Sequence, residues 1–150
     1  MSNTDEIYGA YNFLLEVSGI TPDSKTILGG FKKMSGMLSE TEIIEFKQGN
    51  DKVVRKKPGR TTYSNIVLER GFTNSDDLWL WRKNIEDGNI DRRSGTITIL
   101  DQDMSTIVAQ YNFYEGWPCK WHVPEVDSDQ SGMAIETIEI AVEKVERASS

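Results

Sequence analysis

His122 and Cys119 are the single histidine and the single cysteine of the chain, and catalysis or metal binding would draw on them first. Strand alternation sets Trp117, Cys119, Trp121 and Val123 against Pro118, Lys120 and His122. The two soft ligands then point apart and do not converge on zinc. A Ser-His-Asp triad would have to use His122, and no G-x-S-x-G elbow presents a serine to it. The sequence contains neither G-x-G-x-x-G nor a Walker A loop, so dinucleotides and triphosphates lack an anchor. Asp127-Ser128-Asp129-Gln130-Ser131-Gly132 copies the first half of a calcium loop, but Ile138 stands where the loop requires a bidentate Glu. That string reads better as a polar connection. Asp76-Asp77 suits the positive end of a helix more than acid–base chemistry. The inventory assigns no catalytic, cofactor-binding or metal residue, and the expectation is a protein that is not an enzyme.

Charge is the other concentrated chemistry. Lys+Arg 17 against Asp+Glu 24 gives a net charge of −7. It is spread unevenly, with −3 on residues 1–50, +3 on 51–100 and −7 on 101–150. Lys52, Arg55, Lys56, Lys57 and Arg60 lie within nine positions that follow Gly49-Asn50-Asp51 and include Pro58-Gly59. Turn residues at both ends place these cations in an exposed loop or hairpin. No aromatic residue interleaves with them in an acidic chain, which argues against a specific nucleic-acid site. Two readings stay open: a solvated loop and, preferred, a contact with an acidic face of another subunit. The acidic final third lets two copies attract head to tail.

These groups must be positioned by strands. Tyr11, Phe13, Leu15 and Val17 alternate with Asn12, Glu16 and Ser18, with Leu14 breaking the polar face. Ile97 and Ile99 alternate with Thr96 and Thr98, and Ile107, Ala109, Tyr111 and Phe113 share the next strand's face. Asp101-Gln102-Asp103-Met104 reads as the turn between them. Pro118 belongs at a strand start or edge. Ser39 with Glu42 resembles a capping box and predicts a brief turn before a strand at 43–47. Residues 134–146 fit a helix through Ile135, Ile138, Val142 and Val145, or a strand through Ile138, Ile140 and Val142. Their β-branched residues favour the strand, with a bulge near Glu136 to bring Ile135 into line.

One helix is expected over residues 75–87, where Leu78, Trp81 and Ile85 form a line. Asn74 or Ser75 caps it, and Gly88 ends it. Trp79 and Leu80 fall off that line, so the helix is expected to be covered on a second side, by a partner. Trp79, Trp81, Trp117 and Trp121 read as core or interface anchors.

With 150 residues and 37% hydrophobic residues, residues 1–150 read as a single domain. A chain of this size buries roughly 68–70% of its unfolded surface without disulfides or metals. The longest apolar run, Leu78 to Trp81, is four residues, far below the roughly 20 of a membrane span. Asp5 and Glu6, with no Lys or Arg in the first ten residues, argue against a secretory or transit peptide.

In order along the chain stand Phe13-Leu14-Leu15-Glu16-Val17-Ser18-Gly19, Gly30-Phe31-Lys32-Lys33-Met34-Ser35-Gly36, Lys57-Pro58-Gly59 and Val67-Leu68-Glu69-Arg70-Gly71. A helix with Trp81 follows, then Ile97-Thr98-Ile99-Leu100-Asp101, Trp117-Pro118-Cys119-Lys120-Trp121, Pro124 and Ala134-Ile135-Glu136-Thr137. In this order the sequence resembles the tail tube proteins of contractile phages and phage-like extracellular contractile injection systems, relatives of the type VI secretion tube protein. Val123 before Pro124, where a glycine is common, and Val142 before Glu143, where a histidine is frequent, depart from the pattern.

The resemblance implies a mainly β fold, two packed antiparallel sheets in a β-barrel-like domain with one flanking helix, assembling into hexameric rings that stack as a hollow tube. It implies no cofactor, no membrane anchor and no specific nucleic acid. The implied partners are further copies of the chain, a sheath, baseplate or initiator proteins, tube-terminating proteins and cargo in the bore. Assembly in the bacterial cytoplasm and release in a tail-like particle follow from the same likeness. Within that frame Lys52, Arg55, Lys56, Lys57 and Arg60 make the ring-to-ring or neighbour contact, Glu136, Glu139 and Glu143 supply acidic counterparts, and Trp79, Leu80 and Trp81 secure the helix. The length resembles that of a main tube subunit more than a baseplate adaptor. A tube-initiator or baseplate paralogue and, from another class, a monomeric β-barrel carrier of small molecules are the alternatives.

Overall fold

The computed structural model describes residues 12–18, 27–71, 76–103, 105–123 and 135–148. Tyr11, the proposed caps Asn74 and Ser75, the calcium-loop-like string 127–132 and Pro124 lie outside the described residues. Ten strands and one helix occur among the described residues. They are β1 (Phe13–Val17), β2 (Ile27–Phe31), β3 (Lys33–Gly36), β4 (Ser39–Phe46), β5 (Arg55–Tyr63), β6 (Ile66–Gly71), α1 (Asp77–Glu86), β7 (Arg93–Leu100), β8 (Ile107–His122), β9 (Ile135–Ala141) and β10 (Lys144–Arg147).

All pairings are antiparallel. The main strand order is β2-β1-β7-β8-β9-β6-β3, with β10 also against β8. The 16-residue β8 belongs to two sheets. Its first half pairs with β7 and β10, and its second half pairs with β9. Glu115, at φ 55, and Gly116 mark the corner. The Phe113 ring fills the space that a Cβ would take at Gly116, so a glycine there lets the strand turn over its own aromatic residue. Lys32 alone separates β2 from β3, the two ends of the strand order. The sheet therefore curls back on itself into a barrel-like body, without a hydrogen-bonded ladder closing it.

The alternation read from sequence explains what fills this body. Leu15 and Val17 face inward while Glu16 and Ser18 are exposed. Phe31, Ile66, Leu68, Ile97, Phe113, Ile138 and Ile140 complete the sheet contribution, and Leu78 and Trp81 bring in the helix. Each such burial is worth roughly 1.5–3 kcal/mol relative to exposure. The turn between β7 and β8 falls where the Asp-rich string predicts it. The helix spans Asp77–Glu86 with Asp76 at its N-cap, making no side-chain cap bond, and Gly88 follows its end at φ +90. No helix among the described residues is long and apolar enough to cross a membrane.

Several local expectations are corrected. Residues Ser39–Phe46 form one continuous strand, so Ser39 and Glu42 do not build a capping box. Pro58-Gly59 is not a turn. It sits inside β5 beside the register shift opposite Thr41/Ile43, and the exposed two-stranded sheet tolerates the missing proline donor there. The bulge expected near Glu136 falls instead on β8 between Pro118 and Lys120. Glu136 stays in regular register opposite Arg70, on the buried face with Ile138 and Ile140, while Ile135 stays on the other face. The bulge also shifts the parity of β8. Pro118 opposite Ile140 and Trp121 opposite Ile138 now share the inner face, so Trp121 does not share a face with Trp117. Pro118 is interior to β8, beyond the point where β7 pairing stops at Gly116. The predicted strand at 134–146 is split into β9 and β10 at Val142-Glu143.

Candidate functional site

Residues 39–63 build a ribbon that stands apart from the main sheet. β4 and β5 pair only with one another, and every residue of β4 is exposed. The ribbon prolongs the β3–β6 pair across a break at Met37-Leu38 and Ser64-Asn65. There Ser64 N–H donates to Leu38 O at 2.9 Å and Leu38 N–H to Ser64 Oγ at 2.9 Å. Gly36 (φ 91) and Met37 (φ 53) are successive left-handed residues at this break, and a Cβ at Gly36 would run into Asn65 O. Glycine is thus required where the ribbon leaves the body.

Both ribbon faces carry cations and apolar side chains. Cross-strand register puts Ile44 with Lys57 and Phe46 with Arg55 on one face, and Ile43 with Pro58 and Glu45 with Lys56 on the other. Ile43 is 62% exposed and Val53, in the tip, 73%. Arg55 Nε donates to Asp51 Oδ2 at 2.7 Å, and Lys57 Nζ lies 5.6 Å from the Phe46 ring centroid. Among the described residues, Lys52, Lys56 and Arg60 have no ion-pair partner. An isolated two-stranded ribbon is marginal in water, and the mixture of exposed Ile, Val and Phe with cations suits an interface.

The carboxylates expected to meet those cations are engaged within their own chain. Glu136 is buried, accepting from Arg70 Nε at 2.7 Å and from Trp121 Nε1 at 2.8 Å. This corrects its reading as a surface counterpart: it holds the protomer together. Glu139 accepts from Asn65 Nδ2 at 2.8 Å, and exposed Glu143 accepts from Arg92 Nη1 at 3.1 Å.

The helix residues divide. Trp81 is buried, and its Nε1–H donates to Asp91 O at 3.0 Å beneath the Arg93 guanidinium. Trp79 packs against Trp121, with centroids 4.9 Å apart and planes at 47°. The second side of the helix is therefore covered in part from within the chain, and Leu80 stays 53% exposed. Arg70, on β6, also donates from Nη2 to Asp77 Oδ1 at 3.1 Å, which ties the first helical turn to the second sheet.

Nucleophilic chemistry finds little support in this geometry. Cys119 sits at the bulge against Glu139, where strict alternation no longer describes its direction. Burial first, then the Glu139 charge, pushes its thiol above the ordinary range, which disfavours the reactive thiolate. Among the described residues no group of three His, Cys, Asp or Glu could hold a metal ion.

The family described as T4-like virus tail tube protein gp19 matches residues 9–146. A search of curated proteins finds no match. Among solved structures, the chain is similar to one in the 6-fold symmetrised cryo-EM structure of the anti-feeding prophage baseplate, at 19% identity and TM-score 0.78, covering 99% of this chain and 97% of that one. It is also similar to one in the extended sheath–tube complex of an extracellular contractile injection system, PVC, at 20% identity and TM-score 0.75, with both chains covered in full at 100%. Hcp1 from Flavobacterium johnsoniae matches at 17% identity and TM-score 0.55, over 93% of this chain and 97% of that one.

Proposed function

The chain belongs to the T4-like virus tail tube protein gp19 family, and on that premise we propose that it works as the inner-tube subunit of a contractile injection particle, with six copies closing into rings that stack around a bore. The observation that carries this reading is the exposed ribbon. Its unpaired edges, apolar side chains and uncompensated cations are a liability in a monomer and a joint in an assembly. The fold shared with a chain of a sheath–tube complex supports a sheath as the outer partner. The fold shared with a chain of a baseplate structure supports a partner at the tube's end. A tube-terminating protein and cargo in the bore complete the set. The work is mechanical rather than catalytic, done by one domain assembled in the cytoplasm and carried in a tail-like particle.

Lys52, Lys56, Lys57 and Arg60 are the contact residues in this proposal, with Arg55 held in place by Asp51. The baseplate similarity at TM-score 0.78 also favours a tube-initiator paralogue, which would form single rings rather than long tubes. The carrier alternative expects a hollow apolar interior, whereas the space between the sheets is filled by Leu15, Phe31, Phe113, Trp81 and their neighbours. Negative-stain microscopy of the purified protein tests the proposal. Stacked rings support it, and globules alone at high concentration overturn it.

A further inference from the structure

The ribbon tip needs an anionic, partly apolar counterpart. Residues 47–60 carry six cations and Asp51, a net +5, which leaves −12 on the rest of a chain of net −7. Four exposed carboxylates on the body already face a cation of their own chain. Glu143 and Glu115 face Arg92, Asp87 faces Lys83 and Glu146 faces Lys144.

The β7–β8 turn places two carboxylates without a cation side by side: Asp101 and Asp103 are bound only by neutral donors among the described residues. Asp101 Oδ1 accepts from Gln102 N–H at 2.7 Å. Asp103 accepts from Thr106 Oγ1 at 2.6 Å and from the N–H groups of Thr106 and Ser105, each at 2.9 Å. The Thr106 hydroxyl and backbone, then Ser105, hold the Asp103 carboxyl at about 2, so it is charged at any physiological pH. Asn12 Nδ2 donates to Asp101 O at 3.1 Å, and Asp101 N–H donates to Thr106 O at 2.9 Å, which fixes the turn. Beside it, Ile107 and Val108 stand 57% and 58% exposed at the start of β8.

We propose that the basic, apolar ribbon of one copy docks on the acidic β7–β8 turn and the adjoining Ile107–Val108 ledge of a second copy. The eight residues of β4 reach about 26 Å at ~3.3 Å per residue, far enough to cross onto a neighbour. The match is double: fixed anions oppose cations without an ion-pair partner among the described residues, and aliphatic side chains meet aliphatic side chains. Oppositely charged faces set register while the apolar centre excludes water. This inference rests on the tube reading and names the contact within it.

The test uses the full chain with Cys119→Ser to remove the native thiol. One population carries Val53→Cys and another carries Val108→Cys; they are mixed, assembled and oxidised. A disulfide-linked heterodimer on a denaturing gel is expected. Independently, Ile107→Asp with Val108→Asp should raise the protein concentration needed for assembly by about tenfold or more, with near-ultraviolet circular dichroism unchanged. Assembly by both cysteine variants without the heterodimer, or undiminished assembly by the aspartate variant, overturns this contact alone. Failure of the unmodified chain to form rings or tubes overturns the tube reading and the contact with it.

Discussion

Arg70 Nε lies 2.7 Å from Glu136 Oε1, directly across the β6–β9 ladder and buried on both sides. The pair is the centre of a connected set. Glu136 also holds the Trp121 indole, Trp121 packs on Trp79, and Arg70 reaches the first turn of the helix through Asp77. Helix, second sheet and aromatic pair thus share one buried guanidinium, which also lies 5.3 Å from the Phe31 ring.

Removing one partner of this pair leaves a buried charge uncompensated. Arg70→Ala should therefore destabilise the protein by about 3–5 kcal/mol. Arg70→Met combined with Glu136→Leu replaces the pair by apolar groups and should cost much less than the single change. Urea unfolding followed by tryptophan fluorescence measures both. Equal losses for the two variants would show that the ion pair is not what Arg70 contributes.

Trp81 joins the core and the Asp91 carbonyl. Trp81→Ala should cost about 3–5 kcal/mol. Trp81→Phe retains most of the apolar contact, loses the indole donor and should cost less. Thermal unfolding of the two variants separates packing from the hydrogen bond.

Asp91 gives the protein a specific acid sensitivity. Burial alone would raise its carboxyl, but hydrogen bonds from Arg93 and Asn84, with the Arg93 charge, outweigh burial and hold it below the ordinary 3.8. A carboxyl lowered on folding contributes stability that is present above the unfolded value and is lost as pH falls through the folded value. Unfolding free energies measured from about pH 6 down to about pH 2.5 should thus fall less steeply with acid in Asp91→Asn than in the unmodified protein. Parallel curves would rule Asp91 out as a source of the acid dependence.

The break between body and ribbon makes Gly36 irreplaceable. Gly36→Ala sets a Cβ against Asn65 O at a left-handed backbone position, so the ribbon must tilt or the break must open. The expected outcome is loss of assembled rings at protein concentrations where the unmodified chain assembles, measured by sedimentation. A body core that still unfolds cooperatively would place the damage at the ribbon.

Ribbon docking should also respond to salt. The screening length falls from about 8 Å at 0.15 M to about 3 Å at 1 M, so early assembly rates followed by light scattering should drop. Lys56→Glu with Lys57→Glu should lower the low-salt rate and flatten its salt dependence. Rates unaffected by both salt and charge reversal would leave the ribbon cations without an electrostatic role.

Strands β1, β7, β8 and β9, the helix stop at Gly88, the β7–β8 turn and much of the core were legible in the residues, because alternation and helical spacing are local properties of the chain. Ordered motifs also pointed to the tail tube family, which matches residues 9–146. Local alternation does not show the bulge: Cys119 on the facing strand absorbs the extra residue, and Glu136 is buried. The same limit hid Arg70, whose partner Glu136 is 66 positions away. No spacing rule reaches across that distance. Sequence alone marked Lys52 to Arg60 as an exposed basic stretch. Only the fold decided that Glu136 and Glu143 face a cation of their own chain, whereas half-buried Glu139 and exposed Asp101 and Asp103 are held by neutral donors among the described residues. A charge's availability depends on what the folded chain brings within a few ångströms of it, and that is set by strand pairing between distant segments.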